Sequence, residues 1–344
     1  MIQKPATIQD VARVAGVSAA TVSRALSNPA ILAEATREVV FEAIATTGYR
    51  VNQAARNLRM QRAGAVLIMV PDLGKPFYSK ILSGISDVFA QTDYAVLIAD
   101  TESRPMRDDQ LVDLFNDGRI DGMISLDGST SKSALEKCQN QGRGERIVFL
   151  CEWVRGADFP VINCDNADGA FQAMKHLVDL GHRRIAHVLG PHGNVLSQER
   201  RKGVEQACEQ FGLDLPHAWM IEGDFSVESG HHAAREILAM KDQPTAVFCA
   251  ADTAAFGLVS GLQAGGMTVP NDISVVGFDD IDISQYYMPA LTTIRQDRHL
   301  MGRRAAERLL SALQPNSAAD SPAHLACIPV SLVVRSSTAA PAAS

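Results

Sequence analysis

Near the start of the chain, one cationic side chain and several hydroxyl side chains recur at helical spacing. Ser18, Thr21 and Arg24 lie three residues apart, so on a helix they share one face. A guanidinium can make a bidentate contact to guanine, whereas hydroxyls favour phosphate oxygens, so this face suits contact with double-stranded DNA. Arg24 is the candidate base reader, and the candidate phosphate contacts are Ser18, Thr21, Ser23 and Ser27.

Two short helices around a tight turn would present that face to solvent. Thr7 and Asp10 predict a capping box at the start of the first helix, and Ser18 predicts the N-cap of the second. A third helix is predicted over 34–44, where Ala33 stands at a position usually held by a Ser or Thr cap. The arrangement is typical of a helix-turn-helix.

The charge of the chain is divided unevenly. Lys and Arg number 32 against 39 Asp and Glu, a net of −7 that alone argues against binding to nucleic acid. Residues 1–62, however, hold eight cationic and four acidic side chains, a net of +4, so the remainder carries −11. A small cationic head on an acidic body can engage phosphates locally.

Beyond residue 62 the pattern alternates between short apolar runs and helical segments. This rhythm predicts an α/β body of two doubly wound, parallel-sheet lobes, with a ligand site between them at the carboxyl ends of the strands. The predicted buried strands are 65–70, 95–99, 122–126, 147–150, 185–189, 219–222, 246–249 and 273–278. The predicted helices are 78–89, 167–180, 196–211, 227–240 and 252–263.

The run TIQDVARVAGVSAATVSRALSNP, residues 7–29, resembles the DNA-binding head of the LacI/GalR family of bacterial transcription regulators. The similarity continues to about residue 338. The stretches PDLGKPFYSKILSGI, GDFSVESG and PTAVFCAAD are most similar to the cytidine-responsive repressor branch. The family implies an all-α helix-turn-helix head and a body of the periplasmic-binding-protein type.

The resemblance also implies domain limits. They are a DNA-binding domain at 1–50, a hinge helix and linker at 51–62, a two-lobed effector-binding and dimerisation domain at 63–338, and a disordered tail at 339–344. Within the body, segments near 63–162 and 292–320 are expected in the lobe next to the head. The segments 163–291 and 321–338 are expected in the other lobe.

The family positions add DNA-contact candidates. Ala19 and Ala20 match specificity positions on the second helix, and Thr7 joins the set at the first N-cap. The family's hinge helices pair between two subunits and wedge a leucine into the minor groove. The hinge candidates are Asn52 as cap, Ala54 and Ala55 for close pairing, and Leu58 as the wedge.

Candidates for a small-molecule site lie just after the predicted strand ends. Arg200 matches the family's ligand arginine by its position in the motif. An Asp and an Arg that face aromatic planes can hold vicinal hydroxyls and stack a sugar or a base. The full candidate set is Phe77, Tyr78, Glu152, Trp153, Asp165, Arg200, Phe225 and Asp279.

These features predict a dimeric transcription regulator, a repressor, that binds a pseudo-palindromic operator and responds to a sugar or nucleoside. The alternative is a periplasmic-type sugar-binding protein, which would need a signal peptide and would lack the helix-turn-helix. The N-terminus has no apolar leader and no stretch reaches membrane-spanning length, so we expect a cytoplasmic protein without a membrane partner.

An enzyme would need catalytic or phosphate-binding machinery. The sequence has no G-x-G-x-x-G after a strand, no P-loop and no nucleophile elbow. Asp279 and Asp280 are adjacent carboxylates, but the arginine and aromatic residues expected around them favour binding over acid–base catalysis. The six cysteines show no paired short spacing, so neither a zinc site nor a disulfide framework is expected. We therefore expect no catalytic activity, no metal and no cofactor.

Overall fold

The computed structural model describes residues 6–52, 55–57, 62–104, 106–314 and 325–342. The chain divides into two compact units, Met1–Ala63 and Gly64–Ser344. The boundary between the two units lies after Ala63. Within the described residues, no helix combines the length and apolarity needed to cross a bilayer.

The described part of the first unit contains the α-helices α1 (Ile8–Ala15), α2 (Ala19–Ser27) and α3 (Glu34–Thr47). The predicted capping box is confirmed, because Thr7 Oγ1 accepts from the Asp10 amide and the Asp10 carboxylate accepts from the Thr7 amide. Gly16 ends α1 at φ 65°, a left-handed conformation that favours glycine. The small core that joins the helices consists of Val11, Ala12, Ala15, Val22, Ala25, Val40 and Ala43.

The first lobe of the body contains a six-stranded parallel sheet. Its strands are β1 (Ala65–Val70), β2 (Ala95–Asp100), β3 (Gly122–Ser125), β4 (Ile147–Leu150), β5 (Val161–Cys164) and β11 (Leu325–Ile328), in the spatial order β11-β5-β4-β3-β1-β2. Its helices are α4 (Phe77–Phe89), α5 (Asp108–Asn116), α6 (Lys132–Asn140) and α11 (Arg298–Leu313). Side chains of α4 and α11 cover one face of the sheet, and those of α5 and α6 cover the other.

The second lobe repeats this architecture. Its strands are β6 (Ile185–Val188), β7 (Met220–Ile221), β8 (Ala246–Cys249), β9 (Ser274–Asp279), β10 (Thr292–Arg295) and β12 (Ser331–Val333), in the order β12-β10-β9-β8-β6-β7. Only β12 runs antiparallel to its neighbour. Its helices are α7 (Asn166–Asp179), α8 (Val195–Phe211), α9 (Val227–Ala239) and α10 (Asp252–Ala264), and two apolar clusters sandwich the sheet.

The predicted division of the body into lobes was wrong at two strands. β10 lies in the second sheet, where it pairs in parallel with β9, although residues 292–295 were assigned to the first lobe. β11 lies in the first sheet beside β5, although the segment 321–338 was assigned to the second. The chain therefore crosses after β5, after β10 and after β11, because each crossing strand completes its own sheet first.

Two further expectations differ from the structure. β2 was expected to be buried, but it is an edge strand, and the side chains of Val96, Leu97 and Ile98 are 36%, 45% and 49% exposed. The predicted tail begins at a residue that the structure ties to the second lobe. The Ala339 amide donates to Ser274 Oγ at 3.0 Å and its carbonyl accepts from His182 Nε2 at 2.9 Å, so the chain stays attached there.

Candidate functional site

The outer face of α2 carries the predicted base-reading residue. Val22 and Ala25 point into the core, so the helix turns Ala20 and Arg24 to solvent. Within the described residues, the Arg24 guanidinium makes no hydrogen bond or ion pair. Its donors are therefore available for a base edge or a phosphate.

The hydroxyl residues of the head bond to their own helix termini. Ser18 Oγ accepts from the Thr21 amide at 3.1 Å and lies 2.9 Å from Thr21 Oγ1. Ser27 Oγ donates to the Ser23 carbonyl at 2.9 Å. Ser18 and Ser27 are exposed, whereas Ala19, Thr21 and Ser23 are half-buried. A hydroxyl keeps spare acceptor capacity in such bonds, so these contacts do not prevent one to DNA.

The hinge segment shows one capped turn. Asn52 Oδ1 accepts from the Ala55 amide at 3.0 Å, and the Asn52 carbonyl accepts from the Arg56 amide at 3.0 Å. This contact is the one expected of Asn52 as a helix cap. The candidates Ala54 and Leu58 lie outside the described residues.

The body contains a cleft of about 360 Å³ between the carboxyl ends of its two sheets. Its wall includes six of the eight residues proposed from the sequence: Phe77, Tyr78, Glu152, Arg200, Phe225 and Asp279. The structure thus brings together side chains from both lobes that are up to 202 positions apart in the chain.

The other two candidates do not line the cleft. Trp153 borders a neighbouring cavity of about 390 Å³ and packs against the apolar core of the first lobe. Asp165 is exposed, and its carboxylate accepts from the Asp168 amide at 2.9 Å as the N-cap of α7. The next residue, Asn166, is buried and accepts from Arg200 Nε, so it contacts the arginine of the cleft without lining the cleft itself.

Arg200 is held rigidly at the floor of the cleft. Its Nε donates to Asn166 Oδ1 at 2.9 Å, one terminal nitrogen donates to the Ala250 carbonyl, and the other lies 3.6 Å from Asp279 Oδ1. The guanidinium also stacks over the Phe278 ring at 3.8 Å from its centroid. These contacts fix the position of a positive charge that is only 2% exposed.

Asp279 completes the floor from the end of β9. Its backbone adopts φ 119°, a strained conformation for a residue with a side chain. Burial raises the pKa of its carboxyl group, and the charges of Arg200 and Arg298 oppose that shift. Gln296 Nε2 donates to Asp279 Oδ1 at 2.7 Å. The arrangement leaves Asp279 Oδ2 as an acceptor for ligand hydroxyls.

Aromatic rings form two sides of the cleft. Phe77 and Tyr78 open α4 and meet edge to face, with ring centroids 5.2 Å apart. Phe225 stands opposite in a left-handed conformation of φ 67°, and its carbonyl accepts from Thr253 Oγ1. The ring fits because residue 190 is glycine, where an added Cβ would lie 2.1 Å from Phe225 Cε1.

Sequence reasoning missed several polar residues of the cleft wall, and Asn194 and Asp127 are two of them. Asn194 Nδ2 donates to Glu152 Oε1 at 2.8 Å, so this bond links the two lobes across the cleft. Burial raises the pKa of Glu152. Asp127 accepts from Thr101 Oγ1 at 2.5 Å and from the Ser129 amide at 2.7 Å. Asp127 follows β3 and Asn194 caps α8, so position after a strand and an N-cap motif could have indicated them.

The chemistry of the cleft favours binding over catalysis. It combines aromatic planes with one fixed guanidinium, carboxylate acceptors and an amide, which suits a ring compound with several hydroxyl or amine groups. Among the described residues, no group of three His, Cys, Asp or Glu side chains is arranged to hold a metal ion.

Comparison with protein families identifies both units. Residues 7–52 match the family described as bacterial regulatory proteins, lacI family, and residues 174–338 match a periplasmic binding protein-like domain. The HTH-type transcriptional repressor CytR of Escherichia coli K12 is 36% identical over 335 residues, which cover 97% of each chain. The repressor PurR of Photobacterium profundum is 32% identical over 312 residues, or 90% of this chain and 92% of its own.

Solved structures are similar over nearly the same extent. The lac repressor dimer bound to operator and the anti-inducer ONPF has a TM-score of 0.82 and 31% identity, covering 98% of this chain and all of the other. The transcriptional regulator CelR in complex with cellobiose has a TM-score of 0.71 and 28% identity, covering 96% of this chain and 99% of its own. Both share the helical head and the two-lobed body.

Proposed function

The chain belongs to the lacI family of bacterial regulatory proteins and has a regulatory role in transcription, and from that premise we propose that it represses genes under the control of a small molecule. Two features of the one chain carry the proposal. Arg24 is exposed on α2 and has no partner among the described residues, and a buried Arg200–Asp279 pair lies at the floor of a ligand-sized cleft. One site suits DNA and the other suits an effector.

The effector that fits best is a sugar or a nucleoside. Asp279 and Arg200 can hold a vicinal diol, and the rings of Phe77, Tyr78 and Phe225 can stack a sugar or a base. The similarity to CytR and PurR, together with the cellobiose bound to CelR, supports this class. Cytidine is the first nucleoside to test, because the cleft stretches are most similar to the cytidine-responsive branch.

A homodimer is the form in which the protein would act. Three consecutive apolar side chains are exposed on β2, and in the second lobe Ile283, Tyr286 and Met288 are 50%, 74% and 81% exposed. Large exposed apolar side chains on both lobes favour association with a second copy. A two-fold dimer presents two heads, so its operator would be pseudo-palindromic. The lac repressor, a similar structure, is a dimer on its operator.

The hinge would couple the effector to DNA. A segment as short as 52–58 cannot hold a helix alone in water, so it would fold fully only beside DNA and the partner hinge. Asn52 would cap that helix, Ala54 and Ala55 would allow close pairing, and Leu58 would wedge into the minor groove. A change in lobe closure would then alter DNA affinity.

We also propose that the chain has no enzymatic activity and acts in the cytoplasm. The relatives that it matches are transcriptional repressors, and the two charged residues at the floor of the cleft, Arg200 and Asp279, are held by hydrogen bonds to Asn166 and Gln296. A regulator must reach chromosomal DNA, which in bacteria lies in the cytoplasm.

A thermal-stabilisation screen of the purified chain tests the effector class. The panel contains nucleosides, purines and common sugars, and a true effector at about 100 times its Kd should add roughly 2.7 kcal/mol to stability. Hits are then added to a binding reaction with operator DNA selected from random sequence. The proposal expects a changed operator affinity without turnover of the small molecule.

Arg200→Ala provides the matched test of the site. It should abolish stabilisation by the hit, because it removes the fixed cation of the cleft. Arg201→Ala is the control, since the neighbouring Arg201 is exposed and pairs only with Glu205 in the described chain. Equal stabilisation of the two variants would remove Arg200 from the effector site.

A further inference from the structure

We propose that five buried residues form a closed ring of four hydrogen bonds and one ion pair that links two of the chain crossings between the lobes to the effector cleft. The members of this crossover ring are Cys164, Asn166, Arg200, Asp279 and Gln296. Arg200 and Asp279 line the cleft, whereas the other three do not. Cys164, Asn166 and Gln296 are therefore positioning residues. The proposal rests on the proposed function only in taking the cleft as the effector site.

Each contact of the ring is within bonding or ion-pair distance. Arg200 Nε donates to Asn166 Oδ1 at 2.9 Å, and Asn166 Nδ2 donates to the Cys164 carbonyl at 3.1 Å. Cys164 Sγ donates to Gln296 Oε1 at 2.9 Å, and Gln296 Nε2 donates to Asp279 Oδ1 at 2.7 Å. The same Asp279 oxygen lies 3.6 Å from Arg200, which closes the ring.

Three members of the ring lie at the points where the chain crosses between the lobes. Cys164 ends β5 in the first sheet, and Asn166 begins α7 on the second lobe, so they flank the first crossing. Gln296 lies between β10 in the second sheet and α11 on the first lobe, so it occupies the second crossing. The thiol-to-amide contact thus joins the two crossings directly.

The ring can carry a signal because, within the described residues, the side chains of Cys164 and Gln296 make no hydrogen bonds outside it. Burial raises the pKa of the Cys164 thiol to about 12, so at neutral pH it remains an S–H donor. If that donor is lost, the Gln296 amide oxygen is left buried without a partner, a situation that costs more than the bond itself contributes. Gln296 would then shift, and with it the donor that holds Asp279. A ligand that engages Asp279 acts on the crossings by the same route.

Hydrogen exchange of the ligand-free, full-length protein tests the ring directly. Cys164→Ala should accelerate amide exchange in segments 278–282 and 292–297 by at least about fivefold, the lower end of typical coupling between sites. Cys164→Ser, which keeps a donor, should restore protection. Cys249→Ala is the control, because Cys249 is equally buried on β8 and its thiol makes no hydrogen bond within the described chain.

If segments 278–282 and 292–297 exchange as slowly in Cys164→Ala as in Cys249→Ala, the ring does not couple the crossings and the proposal is overturned. Gln296→Met guards against a folding failure of the first variant. It keeps the side-chain length but loses the amide, and it should accelerate exchange in segment 161–168. Normal protection there would also overturn the proposal.

Calorimetric titration with cytidine and with D-ribose extends the test to binding. Cys164→Ala should lower the affinity for whichever probe binds the wild-type chain by about fivefold or more, and Cys164→Ser should recover most of that affinity. Unchanged affinity in Cys164→Ala would contradict the positioning role. If neither probe binds the wild-type chain, the proposed effector class fails while the exchange result still decides the ring.

Discussion

At the scale of single residues, Arg24 offers the sharpest test of DNA recognition. Arg24→Ala should cost about 1–3 kcal/mol at the operator and reduce discrimination at one base pair of each half-site, because one bidentate base contact is lost. Operator titrations against single-base variants measure this. Arg37→Ala removes the same charge from the α3 surface and should leave the discrimination intact. A uniform loss on specific and random DNA would assign Arg24 to phosphate contact.

Gly190 tests the space around the Phe225 ring. Gly190→Ala would place a Cβ 2.1 Å from Phe225 Cε1 and 2.4 Å from Ser197 Oγ, so the ring must move. We expect at least tenfold weaker effector binding, about 1.4 kcal/mol, with operator binding kept in the absence of effector. Gly144→Ala, where a Cβ meets only ordinary contacts, is the control. Equal effector affinity in both variants would show that Phe225 does not shape the site.

At the scale of secondary-structure elements, α3 lacks a capping side chain. Ala33 precedes the helix with φ −59° and ψ 143°, an extended conformation, and no side chain accepts the orphan amides there. Ala33→Ser supplies that acceptor, so the head should gain about 0.5–2 kcal/mol of unfolding free energy. Chemical denaturation of the chain, followed by a probe in the head, measures it. Ala45→Ser on the exposed helix interior should give no gain, and an equal gain there would argue against capping.

The elements that the sequence predicted correctly are those with an unmistakable local pattern. The capping box of α1 and strands such as β1, with six consecutive buried apolar residues, needed no tertiary information. β10 was not predicted from the sequence because two of its buried residues are threonines. Thr293 Oγ1 donates to the buried Asp252 carboxylate and Thr292 Oγ1 lies 3.2 Å from Thr338 Oγ1, so partners distant in sequence make burial possible. α11 was not predicted from the sequence because its exposed face is rich in arginine, although Met301, Ala305 and Leu309 form a buried stripe at helical spacing.

The same distinction applies to the cleft. Phe77 and Asp279 were indicated by their positions after strand ends, and Arg200 was indicated by its match to the family motif. Asn194 carries a local signal as the N-cap of α8, but its partner Glu152 lies 42 residues away. Gln296 acts on a partner 17 residues away, and no local pattern encodes either pairing. Trp153 shows the converse error, because an aromatic residue after a strand end can equally pack into the core.

At the scale of the whole molecule, a buried histidine makes stability depend on pH. His187 stacks on Phe248 with centroids 4.8 Å apart and donates from Nδ1 to the Phe248 carbonyl, and burial lowers its pKa from 6.5 to about 4. Between about pH 4 and pH 6.5, His187 therefore binds a proton in the unfolded chain but stays neutral in the folded chain. Stability is fully present above about pH 6.5 and declines as the pH falls toward 4, by up to about 3 kcal/mol.

Denaturation at pH 7.5 and pH 5 measures this contribution, with His187→Gln as the comparison. The variant cannot titrate at that position, so its stability should fall less between the two pH values than that of the wild type. His217→Gln, which alters an exposed histidine, should retain the full decline. Parallel losses in all three proteins would assign the pH dependence to other groups.

The triple crossing of the chain between lobes also orders events during synthesis. The head is complete once residue 63 has left the ribosome, but the first lobe waits for α11 and β11, which end at residues 313 and 328. Until then, the apolar face of α4 that α11 covers stays open to solvent or to chaperones. A message truncated near residue 296 would therefore yield a DNA-binding unit attached to two unfinished lobes. No premature stop codon between residues 64 and 328 can leave the first lobe whole.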